Sequence, residues 1–245
     1  MSNQNFGFQD PIEVHSSSVS SEVASKTFMS RVFSWMFIGL AITGFMGYIF
    51  SATGLSTVIF SAGHPTPVFY ICMFAPFALV LLMGMGMNRL SYPAMVGVFV
   101  LYSALTGMGL MSAMFIIYQA SSVYSVFFIT AGLFGVMAFL GWTTNTDLTK
   151  FGSLLVMLLI GAMIAALVNM FMGSAPMGYA ISFIFVAVFT GLTAYDVQKL
   201  KNIGAQIGSS GDASVGKMAI WGALSLYLDF INLFLALLRI FGNRR

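Results

Sequence analysis

The chain has one cysteine, two histidines and little charge, with 10 Lys and Arg and 7 Asp and Glu among 245 residues. Each scarcity excludes a class of protein. A lone Cys72 provides neither a disulfide framework nor a cysteine-based metal cluster. His15 and His64 lie outside the apolar runs, so there is no intramembrane His/Cys set; His64, in AGHPTP, falls in a connecting loop. The basic residues occur singly or in pairs, which leaves no patch for nucleic acid. The sequence has no Walker loop, G-x-S-x-G or H-E-x-x-H. Residues 1–25 carry no basic region ahead of an apolar core, so they read as a disordered polar tail rather than a cleaved signal.

What is abundant is apolar: 59% of residues are hydrophobic, and the mean hydropathy is +0.94. A water-soluble fold of this size cannot hide that much apolar surface. A hydrocarbon core of roughly 30 Å needs about 20 apolar residues per helix. Seven stretches meet this, at about 32–54, 66–88, 92–117, 123–142, 151–172, 178–200 and 219–241. The fold expected is an all-α integral membrane bundle of seven transmembrane helices, one domain over 26–245, with a polar Gly/Ser-rich loop at 202–218. The 19 Met and 25 Phe, including MGMGM at 83–87, read as packing and lipid contact rather than metal ligands. Cys72 is expected to be packed or lipid-facing.

Positive charge orients such a bundle, because Lys and Arg are retained on the cytoplasmic side. Lys26, Arg31, Arg89, Lys150, Lys199, Lys201 and Lys217 fall on one face if the N-terminus is cytoplasmic; the loops near 55–65, 118–122 and 173–177 contain none. The tail conflicts with this pattern. Either the last segment spans fully and Arg244 and Arg245 finish on the opposite side, or it is re-entrant and both its ends are cytoplasmic.

Of the seven acidic residues, only Asp196 and Asp229 fall inside apolar helices. A carboxylate there costs about 2.5–3.5 kcal/mol on insertion scales, so it normally faces a bundle interior or a wet cavity and is a functional candidate. In the last segment Gly222, Ser225, Asp229, Asn232, Ala236 and Arg239 recur at helical spacing and form one stripe of small and polar residues. Asp229 lies ten residues past 219, about 15 Å deep. Helix six runs back toward the basic face and carries Asp196 with Thr193 on the same side. Both carboxylates therefore enter from one face and can meet. Such a pair titrates as a unit and offers oxygen ligands to a hard divalent cation, so protons and Ca²⁺ compete for it. Structural alternatives stand beside this reading: Asp196 neutralised by Lys199 or Lys201 at the interface, and Asp229 hydrogen-bonded to Ser225, Tyr227 or Asn232. Arg89 is either an anchor of the basic face or a partner of the aspartates, and Arg239 reads as a snorkelling interface residue. An intramembrane aspartyl protease is the enzyme rival, but the G-x-G-D setting is absent, and a non-enzymatic role is expected.

GLTAYDVQKLK (191–201) and LSLYLDFINLFLALLRIFGNRR (224–245) closely resemble signatures of the Bax inhibitor-1, or transmembrane Bax-inhibitor-motif, family, especially its bacterial members. The resemblance extends through MSRVFSWMFIGLAITG (29–44), LYSALTGMGL (101–110) and TAGLFG (130–135). It implies a seven-helix bundle with the C-terminal helix central, placed in a bacterial inner membrane. It also implies a pH-sensitive Ca²⁺ leak channel governed by the pair matching Asp196 and Asp229, which would sense protons and bind calcium. Ser225, Asn232 and Thr193 would form the supporting polar stripe. A second-helix arginine that latches the pair is matched by Arg89. Some bacterial relatives restrain a membrane-bound protease, so a non-conducting regulator of a membrane partner is the second reading; an H⁺-coupled cation exchanger using the same aspartates is the third. The partners expected are the lipid bilayer, Ca²⁺ and protons, with no tightly bound cofactor.

Overall fold

The computed structural model describes residues 11–61, 64–87, 89–207 and 212–244. In chain order the helices are α1 (Pro11–Ala52), a single turn α2 (Ser56–Ile59), α3 (Pro67–Gly86), α4 (Tyr92–Thr106), a π-helical segment (Gly107–Met111), α5 (Ser112–Ile117), α6 (Ala120–Thr143), α7 (Thr149–Met172), α8 (Ala175–Ile207) and α9 (Asp212–Phe241). A two-residue hairpin, β1 (Phe60–Ser61) with β2 (His64–Pro65), pairs antiparallel before α3. Among the described residues, seven helices are long and apolar enough to cross a membrane: Ser21–Ala52, Pro67–Gly86, Tyr92–Ile117, Ala120–Thr143, Thr149–Met172, Ala175–Ile207 and Ala213–Phe241. The protein is a helical integral membrane protein, and these spans coincide with the apolar runs of the sequence.

Two boundaries differ from the sequence expectation. Helix α1 begins at Pro11, so residues 11–25 are helical rather than a disordered tail; residues 1–10 lie outside the described ones. No Gly or Pro interrupts 12–25, Glu22 pairs with Lys26 at i,i+4 and 2.8 Å, and the buried Ser25 donates to the Lys201 carbonyl at 2.8 Å. Ser25 thus ties the end of that stretch to α8. The 202–218 loop is shorter than expected, because α8 continues to Ile207 and α9 starts at Asp212; positions 208–211 lie outside the described residues.

The spans divide into inner and outer. In the most apolar stretch of α9, 61% of residues are buried, against 11% in those of α3 and α7. Helix α9 packs against α8, α1, α6 and α4, and α8 packs against α9, α1, α6 and α7. Outward residues such as Phe37, Met85 and Phe171 are exposed, as lipid-facing side chains are. Hydrocarbon gives little drive for helices to associate, so close fit must hold them together. Gly141 of α6 lies against the backbone of Ala194 in α8, and Gly107 lies against the backbone of Thr43 in α1. A side chain at either position would enter a neighbouring helix. Gly107 opens the π-helical segment inside the third span, a local widening of the helix that recurs at functional sites.

The last helix crosses completely. Near its start, Lys217 Nζ donates to the Met87 and Leu90 carbonyls at 3.1 and 3.3 Å, between the second and third spans. Beyond its end, Gln119 N donates to the Asn243 carbonyl at 3.0 Å, and Arg244 sits 5.9 Å from the Tyr118 ring centroid. Positions 118–119 join the third span to the fourth. They lie across the bundle from 87–90, so the re-entrant alternative fails and Arg244 finishes opposite the basic loops.

Candidate functional site

Helices α8 and α9 run antiparallel against each other, and their polar residues meet on the half of the bundle near the basic loops. Ser225 Oγ donates to Asp196 Oδ2 at 2.5 Å. Asp229 is one helical turn further along α9, on the face that carries Ser225. Ser225 thus ties α9 to Asp196 one turn from Asp229. Asp196 is half-buried, while Asp229 is 5% exposed and its Oδ2 has no hydrogen-bond partner.

The groups considered as structural partners for Asp229 are engaged elsewhere. The Ser225 hydroxyl is spent on Asp196. The Tyr227 hydroxyl lies 2.6 Å from Thr43 Oγ1, which itself donates to the Ser103 carbonyl. Asn232 Nδ2 donates to the Leu228 carbonyl at 2.8 Å. A buried carboxyl oxygen with no donor costs several kcal/mol, of order 2–7 for a neutral polar group, so native structures keep few such atoms. Thr193, fully buried, spends its hydroxyl on the Phe189 carbonyl at 2.7 Å. Of the expected polar stripe, Ser225 alone reaches a carboxylate; Thr193 and Asn232 bond back to their own helices.

The basic residues do not neutralise the pair. Lys201 Nζ donates to the Trp142 carbonyl at 2.7 Å and lies 5.1 Å from that ring's centroid. Lys199 is exposed and sits 5.9 Å from the Tyr195 ring centroid, and its charge reaches Asp196 only through space. Arg89 is exposed in the turn after α3, and among the described residues no ion pair joins it to either aspartate. The reason is local: α3 ends at Gly86, so Arg89 extends from the membrane surface, and the inward position beneath that turn is taken by Lys217. Among the described residues no cluster of three His, Cys, Asp or Glu side chains occurs. Two carboxylates and a hydroxyl are what the site offers a cation. His64 is exposed, and the buried Cys72 lines an apolar cavity of about 560 Å³ between α3, the third span and α9.

One polar cluster was not foreseen from the sequence. Tyr227, Tyr102 and Thr43, all nearly fully buried, join α9, α4 and α1 beside the π-helical segment, with the Tyr102 and Tyr227 ring centroids 5.3 Å apart. Three residues far apart in sequence signal nothing until their helices are placed.

The family described as "Inhibitor of apoptosis-promoting Bax1" matches residues 25–245. Inner membrane protein YbhL of Escherichia coli is 46% identical over 222 residues, covering 90% of this chain and 93% of that protein. An uncharacterized protein of Borreliella burgdorferi is 43% identical over 219 residues, 89% of this chain and 92% of its own. An uncharacterized membrane protein of Streptococcus pyogenes is 34% identical over 224 residues, with 91% and 95% covered.

Proposed function

We propose, for a chain that belongs to the Bax inhibitor-1 family, a passive, proton-modulated Ca²⁺ conductance whose gate and cation site is the Asp196–Asp229 pair. The observation that carries this reading is the Asp229 Oδ2 atom, buried in the bilayer-spanning core with no donor. A carboxylate left in that state needs a proton or a cation. With both carboxyls ionised, the pair attracts Ca²⁺, whose remaining ligands would be water and backbone oxygens. With a proton bound, the pair loses charge and the packing of α8 on α9 shifts between two arrangements. The protein works without catalysis. It sits in an inner membrane with its N-terminus cytoplasmic, which puts the basic loops inside and lets cations approach the pair from the cytoplasm. Arg89 serves in this reading as an anchor of that face.

The test is Ca²⁺ flux into liposomes containing only this protein, across roughly pH 6 to 8, for wild type, Asp196→Asn and Asp229→Asn. Flux whose pH dependence disappears in either variant supports the reading. Flux that requires an opposing proton gradient turns it into an exchanger. Absence of flux above empty liposomes, from protein with the native melting transition, refutes conductance and leaves regulation of a membrane partner.

A further inference from the structure

Helix α3, the third span and α9 do not close on one another but enclose the apolar cavity of about 560 Å³ that Cys72 lines. It lies on the half of the bundle away from the basic loops. Helix α3 borders it from Phe69 to Val80, about 16 Å of helix, and the β1–β2 hairpin supplies Phe60 and Pro65 at its outer end. Helix α9 borders it with Leu228, Asn232 and Leu235. These three share one stripe and are only half-buried in a helix whose neighbouring positions are buried, because the surface they keep faces the cavity.

The walls are held apart. Gly109, in the π-helical segment, lies against the backbone of Cys72, where an added Cβ would stand 3.1 Å from both the carbonyl carbon and its oxygen, so α3 comes no nearer to the third span. At the outer end Phe60 packs on Phe69 with ring centroids 4.9 Å apart, and the Thr66 hydroxyl donates to the Val58 and Ile59 carbonyls, which fixes the hairpin at that end. Among the described residues no charged side chain lines the space. Thr106 spends its hydroxyl on the Tyr102 carbonyl at 2.9 Å, and Asn232 donates to the Leu228 carbonyl at 2.8 Å. Water settles in a cavity that gives it about two to four polar partners, and an unfilled apolar cavity forfeits the dispersion contacts of its lining. The space is built for an apolar occupant.

The bilayer supplies one. Met73 and Phe77 of α3 and Ile117 of α5 line the cavity and are 46%, 65% and 44% exposed, so its open side is the side that meets hydrocarbon, while Cys72 and Tyr102, each 4% exposed, stand at its back. We propose that the cavity binds one acyl chain of a phospholipid from the leaflet opposite the basic loops, inserted between α3 and the third span. The cavity runs inward from the hairpin at the membrane surface, which is the course of a chain anchored there by its headgroup. Its deep end reaches Tyr102 and Leu228, so the tail presses on α9 at the residue before Asp229. The site is one of lipid binding and stands whether or not the protein conducts ions.

The test is photo-crosslinking of the full chain in liposomes containing phosphatidylethanolamine with a diazirine at mid-chain or, in a parallel sample, at the chain end, with adducts located by mass spectrometry. Label is expected on the buried Cys72 and Tyr102 in excess of that on Ile160 and Ile164, which are 54% and 58% exposed on α7 and report lipid around the bundle. Ala113→Phe puts a ring into the cavity and is expected to lower the Cys72 and Tyr102 adducts about tenfold, the loss of roughly two buried methylenes, while leaving those on α7 unchanged. Should Ala113→Phe fail to fold, Ile117→Trp at the exposed rim gives the same readout with a smaller loss. Label confined to exposed residues such as Ile160 and Ile164, or cavity label that neither variant lowers, overturns the proposal. So does a diazirine fatty acid that labels Cys72 and Tyr102 in preference to the phospholipid, which makes the site one for a free fatty acid.

Discussion

Replacing Gly141 by alanine adds one methyl group where α6 has no room for it. The new Cβ would run into the carbonyl oxygen of Ala194, with that residue's carbonyl carbon and Cα both at 2.9 Å. These are backbone atoms, so no side-chain rotation relieves the contact and α6 must move away from α8. Forcing an extra carbon into a close-packed interface costs about 1–3 kcal/mol, which for a chain of this size lowers the melting temperature by roughly 3–9 °C. Six residues earlier on the same helix, Gly135 faces open space with no atom within 4 Å of its added Cβ. Gly135→Ala therefore keeps only the helix-propensity gain of about 0.5–1 kcal/mol, a rise of roughly 1–3 °C. Both are measured by thermal melting in one detergent. Because Ala194 lies two residues before Asp196, Gly141→Ala is also expected to disturb the bond between Ser225 and Asp196, which Gly135→Ala leaves intact. If Gly141→Ala melts at or above Gly135→Ala, the argument that glycine sets the α6–α8 approach is wrong.

Tyr227→Phe removes the hydroxyl that meets Thr43 at 2.6 Å but leaves Thr43 bonded to the Ser103 carbonyl; a loss of about 0.5–1.5 kcal/mol should appear as a modestly lower melting temperature, and Tyr102→Phe offers the neighbouring comparison. In the loop before α7, the Thr149 hydroxyl and backbone N–H hold the exposed Asp147 carboxyl below its ordinary value of 3.8. A lowered folded value means that the stabilisation is fully present above the unfolded value and is lost as pH falls through the folded one. Wild type should therefore lose a small increment relative to Asp147→Ala on acidification below that range, and parallel melting curves for the two would refute it. Complete crossing by α9 predicts that, in a Cys72→Ser background, cysteines placed at Thr57 and Asn243 react with a membrane-impermeant reagent from one side and a cysteine at Thr146 from the other. Labelling of positions 243 and 146 from the same side would restore the re-entrant alternative.

Much of the candidate site was legible in the sequence. A carboxylate in an apolar helix stands out against its surroundings, and the spacing of Ser225, Asp229 and Asn232 put them on one face. The family resemblance read from the segments around Asp196 and Asp229 agrees with the match over residues 25–245. The hydrogen-bond partners were not legible. Ser225, Tyr227 and Asn232 were equally plausible donors for Asp229, yet each finds a nearer acceptor, on α8, on α1 and in its own helix. Arg89 looked able to reach the pair because an arginine is long, but α3 stops at Gly86 and leaves it outside the bundle.

The sequence by itself determined the number and approximate positions of the spans, the class of the protein and the two acids that lie within apolar helices. Those follow from transfer free energy and helical period, which each segment carries within itself. Only the tertiary structure decided which helices are inner, that α9 ends opposite the basic loops, where Gly141 and Gly107 let backbones touch, and that Asp229 keeps an oxygen without a donor. In a membrane the lipid-facing and protein-facing sides of a helix are similarly apolar. The pattern along one helix therefore does not say which neighbour it meets, and the contacts that decide function exist only between helices.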